Sequence, residues 1–132
     1  MIEKLIKAAI DMRKISHSLY SNYRVGAAVE TESGEIIGGC NIESSSYRLT
    51  CCAERVALYS AISKGYNDFK SMAMSTENDE MPCGAFRQVI WDLCKSIKIY
   101  ICNEKDVLKT VNSSEFLPVS YTHLRAHETN VD

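Results

Sequence analysis

Apolar residues first recur at Leu5, Ile6, Ala9, Ile10 and Met12, a helical spacing that predicts an amphipathic first helix over residues 2–16. Tyr20-Ser21-Asn22-Tyr23-Arg24 then reads as a loop. The runs 25–31 and 35–40 are short and apolar, and Ser33-Gly34 between them is a hairpin turn signal, so the first two strands are expected to pair antiparallel. Residues 41–50 are polar and hydroxyl-rich and read as a loop leading into a helix, a natural place for a site. The second helix is expected over 51–63, with Val56, Ala57, Ala61 and Ile62 as its buried stripe and Lys64-Gly65 as its stop. A third strand over 71–76, an exposed acidic link over 77–80 and a third helix from 81 to about 95 follow. An alternating strand at 97–102 and a weaker one at 107–111 close the order. Together these elements predict a three-layer α/β/α domain around a mixed sheet of about five strands, its first pair antiparallel and its later strands joined by helical crossovers.

Composition narrows the function classes more than the fold. A chain of 132 residues, 45% apolar and 24% charged, is expected to form one globular domain with a core of its own. The net charge of −2 is spread without a basic stripe, which argues against tight binding of nucleic acid through phosphates and favours a small-molecule or protein partner. No apolar run approaches the ~18 to 20 residues that span a bilayer, and Met1-Ile2-Glu3-Lys4 does not begin a signal-peptide apolar region, so no membrane role and a cytoplasmic location are expected. In a reducing compartment the six cysteines are expected to serve as metal ligands, nucleophiles or small core residues. Cys40, Cys94 and Cys102 fall in strand or helix patterns that suit the last role.

The chemistry concentrates in Thr50-Cys51-Cys52-Ala53-Glu54-Arg55, at the expected start of the second helix. Unpaired N–H groups and the macrodipole favour negative charge there, so a cysteine ionises more readily and can ligate a metal. Cys83, after Pro82, opens the third helix in the same way. A catalytic zinc commonly keeps three protein ligands and one water of lowered pKa, beside which a carboxylate such as Glu54 can act as general acid and base. Cys52 and Glu54, two residues apart, share a site only if Cys52 precedes the regular helix. Arg55 is placed to offset thiolate charge.

Cys52-Ala53-Glu54-Arg55 together with Pro82-Cys83-Gly84 and Arg87-Gln88 resembles the small, homotetrameric, zinc-dependent cytidine deaminases. The resemblance spans nearly the whole chain. Tyr20-Ser21-Asn22-Tyr23-Arg24-Val25-Gly26-Ala27-Ala28 is similar to that family's Tyr-Ser-x-Phe-x-Val-Gly-Ala-Ala, Gly39-Cys40-Asn41-Ile42-Glu43 to its Gly-x-Asn-x-Glu, and Phe116-Leu117-Pro118 to its Leu-Leu-Pro. The resemblance implies Zn2+ held by Cys52 and Cys83 with Glu54 as the proton shuttle. It implies sugar hydroxyls bonded by Asn41 and Glu43, a pyrimidine packed on Tyr23 and read by the backbone of Ala53, and a homotetramer in which Tyr47 and Tyr121 reach a neighbouring subunit's composite site. The reaction implied is hydrolytic deamination of cytidine or deoxycytidine to the uracil nucleoside and ammonia.

The chain departs from the family at one ligand. Where the family reads Pro-Cys-Gly-x-Cys-Arg-Gln, this chain has Phe86 in place of the second cysteine, three residues after Cys83 and so expected on the same helix face. An aromatic ring does not ligate zinc. Three outcomes stay open: zinc held by two thiolates and water, another side chain substituting, or a domain without zinc that still holds nucleosides. The competing functions are therefore deamination of N4-substituted cytidines or cytosine-nucleoside antibiotics, and a nucleoside-binding pseudoenzyme. The deaminase-like domain is expected over 1–120, and the tail 121–132, similar to translated adaptor sequence, is set apart from it.

Overall fold

The computed structural model describes residues 2–46, 49–77 and 84–116. Its elements are α1 (Ile2–Lys14), β1 (Gly26–Thr31), β2 (Ile36–Cys40), α2 (Ala53–Ser63), β3 (Phe69–Ser75), α3 (Gly84–Cys94), β4 (Lys98–Cys102) and β5 (Val107–Asn112), with a 3-10 turn at Ser113–Phe116. The five strands lie in the order β2-β1-β3-β4-β5. β1 pairs antiparallel with both β2 and β3, β3 pairs parallel with β4, and β4 pairs antiparallel with β5. The mixed sheet and its antiparallel first pair follow the sequence expectation.

Alternation along the strands sorts side chains between two helical layers. On one face Ala28 and Ala73 pack with Leu5 and Ala9 of α1. Their smallness lets α1 lie very close: a Cβ on Gly26 would stand 2.0 Å from the carbonyl oxygen of Ala9. On the other face Val29, Met72, Met74, Ile99 and Ile101 join Leu58 of α2 with Phe86 and Ile90 of α3. Consecutive residues of β2 record the same division, since a Cβ on Gly38 would meet Met12 of α1 and one on Gly39 would meet Ala57 of α2. The sheet is thus filled between α1 and the α2/α3 layer, a three-layer α/β/α arrangement.

The largest revision concerns α2. Cys51 is not its first residue: its N–H and C=O pair with Ile42 at 2.9 Å each, an isolated bridge, and Cys52 is the N-cap. The buried face runs through Ala53, Glu54, Ala57, Leu58 and Ala61, not through Val56 and Ile62, because the helix backbone at Ala57 sits against Gly39. Ile62 is 38% exposed. β3 also begins earlier than the expected 71–76, at Phe69, which pairs with Thr31 across a register shift. The expected opening of the third helix at 81–83, part of the acidic link at 78–80 and the tail lie outside the described residues.

Candidate active site

Three chain segments converge at the start of α2. The segment leaving β2 is the middle one, stitched to the segment leaving α1 by His17 N–H to Asn41 O at 3.0 Å and Glu43 N–H to His17 O at 2.8 Å, and to Cys51 by the Ile42 bridge. Asn41, which the family resemblance assigned to the sugar, is also a local weld. Its Oδ1 accepts from Ser16 Oγ and from the Val25 N–H at 3.1 Å, and its Nδ2 donates to Tyr23 O at 2.8 Å. One of the two Nδ2 hydrogens is left for a ligand.

Glu43 is held just as firmly. Oε1 accepts the N–H groups of Tyr20 and Ser21 at 2.9 and 3.0 Å, and Oε2 accepts the Ser21 hydroxyl. The Ser21 hydroxyl, then the Ser21 N–H and that of Tyr20, hold this carboxyl below its ordinary pKa. Tyr23 is half-buried and packs against Val25, Ala27, Ala53 and Ala57, which puts its ring in the same cluster as the first residue of α2.

At the helix start Cys52 is half-buried and packs against the core cluster that contains Phe86, while Glu54 is 3% exposed. Arg55 reaches back from the first turn. Its Nε donates to Cys52 Sγ at 3.3 Å and its Nη2 to Thr50 O at 3.3 Å, so the guanidinium faces the sulfur with the charge that stabilises a thiolate. Thr50 in turn accepts the Ser44 N–H at 3.0 Å, fixing the far wall. Tyr20, Ser21, Glu43, Ser44, Ser45 and Thr50 line an open cleft of about 410 Å³.

Among the described residues no group of three or more His, Cys, Asp or Glu side chains is gathered to hold a metal. Cys52 fits a zinc thiolate by its place before the regular helix and by the cation on its sulfur. Cys83, Tyr47 and Tyr121 lie outside the described residues. Phe86 is wholly buried in the α2/α3 core, so this position contributes a packed ring. Sequence reasoning gave no role to Ser16, Ser21 or Thr50, although the hydroxyl of Ser21 two residues before Tyr23 is a known local turn pattern.

A half-buried thiol and a buried carboxylate stand together at one helix start in a three-layer α/β/α fold, two of the groups that metal-assisted proton transfer would need. The sequence model of the cytidine and deoxycytidylate deaminase zinc-binding region matches residues 1–103, and the chain belongs to that zinc-dependent deaminase family. It is 40% identical over 124 residues to a cytidine deaminase of Sporosarcina psychrophila, covering 92% of this chain and 91% of that protein. It is 42% identical over 123 residues to one from Halalkalibacterium halodurans, covering 91% and 93%. The crystal structure of cytidine deaminase from Burkholderia pseudomallei superposes with a TM-score of 0.85 at 37% identity, over 90% of this chain and 98% of that one.

Proposed function

We propose that this chain catalyses the hydrolytic deamination of cytidine and deoxycytidine to the uracil nucleoside and ammonia, with Zn2+ held by Cys52 and Cys83. The observation that carries the reading is the pairing at one helix start of Cys52, faced by Arg55, with Glu54, a carboxylate almost wholly removed from solvent. When bound, zinc supplies Lewis acidity that makes a water molecule acidic near neutral pH. Glu54 would take one proton as the water oxygen joins C4 and give it to ring N3, then take the remaining hydroxyl proton on that oxygen and deliver it to the amine, so that C4=O forms as the C4–N4 bond breaks and ammonia leaves. Tyr23 packs against the pyrimidine, the backbone of Ala53 reads its edge, and Asn41 and Glu43 accept or donate to sugar hydroxyls.

The assembly in this reading is a homotetramer with Tyr47 and Tyr121 completing a neighbour's site. It is supported by apolar side chains that α2 leaves toward solvent, Tyr59 and Ile62, and by Leu49, 72% exposed. The catalytic domain is 1–120, with 121–132 outside it. No helix among the described residues is long and apolar enough to cross a membrane. Among the described residues Cys40, Cys51, Cys94 and Cys102 form no disulfide, which suits a cytoplasmic setting.

The test is loss of cytidine absorbance with matching ammonia release by purified chain of known zinc content. Wild type is expected to turn over, and Glu54→Gln to lose roughly 10² to 10⁴ in kcat while still binding uridine. A wild type that binds uridine but releases no ammonia would establish a nucleoside binder in place of an enzyme.

A further inference from the structure

Thr76, the residue after β3, carries a polar group that the fold leaves unused. It is 1% exposed, and among the described residues its Oγ1 is buried without a hydrogen-bond partner. Its N–H donates to Cys102 O at 3.0 Å, which continues the parallel ladder and fixes the backbone there. A buried hydroxyl without a bond is a net cost to folding. Alternation along β3 puts Thr76 on the face of Met72 and Met74, the α2/α3 side of the sheet. Met74 belongs to the buried cluster that includes Phe86 and against which Cys52 packs. Gly26 stands opposite Ser75, so the next step of the antiparallel pair brings Val25 level with Thr76, and Val25 shares a cluster with Ala53, the residue after Cys52. Chain direction agrees. The connection from Ser63 to Phe69 is short, so α2 runs back along β3 and starts at the end of the sheet where β3 finishes.

We propose that Thr76, the orphaned hydroxyl at the end of β3 on the face of the α2 start, is a positioning residue of the metal site that donates to the Cys52 thiolate. This rests on the assignment of Cys52 to zinc above. Arg55 Nε already donates to Cys52 Sγ at 3.3 Å from within α2, and Thr76 supplies a second donor from the sheet. Ionisation to the metal-ligating thiolate strengthens the sulfur as an acceptor, so the hydroxyl gains its bond as the metal binds. Partners of this kind orient a ligand and hold metal affinity. The hydroxyl that weakens the metal-free chain is thereby kept for the loaded one.

Zinc affinity, by competition with a chromophoric chelator, and Tm with and without zinc test this on wild type, Thr76→Val and Thr76→Ser. Valine keeps the shape and removes the hydroxyl. Thr76→Val is expected to raise the Tm of the zinc-free chain by about 3 to 10 °C, because the unbonded hydroxyl is gone. It is expected to weaken zinc binding by about 10- to 100-fold. A merely structural threonine would move both in the same direction or neither. Thr76→Ser, which keeps the hydroxyl, is expected to bind zinc within about threefold of wild type. In the Co2+-substituted protein the thiolate-to-metal charge-transfer band is expected to move to longer wavelength in Thr76→Val and to stay in Thr76→Ser, since a sulfur that loses a hydrogen bond gives up electron density more easily. Zinc affinity unchanged in Thr76→Val, a lower Tm without zinc, an unmoved Co2+ band, or Thr76→Ser as weak as Thr76→Val each overturns the proposal. A wild type that takes up no zinc overturns the assignment of Cys52 along with it. Zinc that is lost in Cys52→Ala but indifferent to Thr76→Val leaves that assignment standing and removes only the role of Thr76.

Discussion

Replacing Gly39 by alanine tests how α2 is held against the sheet. A Cβ there would stand 2.3 Å from Ala57 N, 2.8 Å from Ala57 Cα and 2.9 Å from Ala53 O, all backbone atoms of α2, none able to swing aside. Restoring ordinary van der Waals separation requires the helix to retreat by about 1 Å. Overpacking of this kind costs about 1 to 3 kcal/mol, and for a chain of this size that lowers Tm by roughly 3 to 15 °C. The same retreat carries the first turn, with Cys52 and Glu54, out of register with Asn41 and Glu43, and a misplacement near 1 Å is worth about 10²-fold in rate. Gly38→Ala is the internal control. Its Cβ would crowd Met12 Cγ and Sδ, at 2.6 and 2.9 Å, the far end of a flexible side chain that can turn away, and would stand in ordinary contact with Ala27 O at 3.7 Å. Thermal denaturation and cytidine turnover measured on both variants should show Gly39→Ala damaged in stability and kcat/KM, and Gly38→Ala within about 1 kcal/mol of wild type. A Gly39→Ala protein that melts within 1 °C of wild type at full rate would refute the close packing, as would Gly38→Ala proving the worse of the two.

Two further expectations follow from side chains near and away from the site. Phe86→Cys puts a thiol into the buried cluster against which Cys52 packs, so zinc per chain and kcat are both expected to rise; it also trades a wholly buried ring for a smaller side chain, with a stability loss of about 2 to 4 kcal/mol when zinc is withheld. Gain of neither zinc nor rate would place Phe86 away from the metal. Burial pushes the Cys102 thiol up to about 11 and that of Cys94 up to about 12. Above about pH 9 the unfolded chain releases these protons while the folded chain keeps them, so stability falls with rising pH, for the fully buried Cys102 by up to about 2 to 3 kcal/mol by pH 11. Denaturant midpoints at pH 8 and pH 10.5 should differ in wild type, and the difference should shrink in Cys102→Ala.

The parts legible in the sequence are those in which one residue's type fixes one outcome. Ser33-Gly34 between two apolar runs gave the β1–β2 hairpin, with Gly34 at φ +94, and period-two alternation gave β4. Cys52 meets the condition for sharing a site with Glu54, since it is the N-cap, although the pattern predicts a helix already from residue 51. The buried face of α2 was not legible, because hydrophobic pattern ranks Val56 and Ile62 above a glutamate. Close contact with a glycine in a neighbouring strand, which no local pattern records, decides that face. The double role of Asn41 escaped for a related reason: its partners Ser16, Tyr23 and Val25 come together only once α1 and β1 are folded against each other.

Cys52 occupies the N-cap of α2 with extended backbone angles, yet its side chain makes no capping hydrogen bond. Serine or aspartate at such a position commonly contributes about 1 kcal/mol. The chain therefore carries, at the residue assigned to zinc, a sacrifice that simple stability measurements would register as a defect. A library of variants sorted only for resistance to heat or protease is expected to enrich Cys52→Ser and Cys52→Asp, and so to breed toward sturdier, inactive protein. Any effort to make this deaminase more durable needs turnover in the selection from the first round.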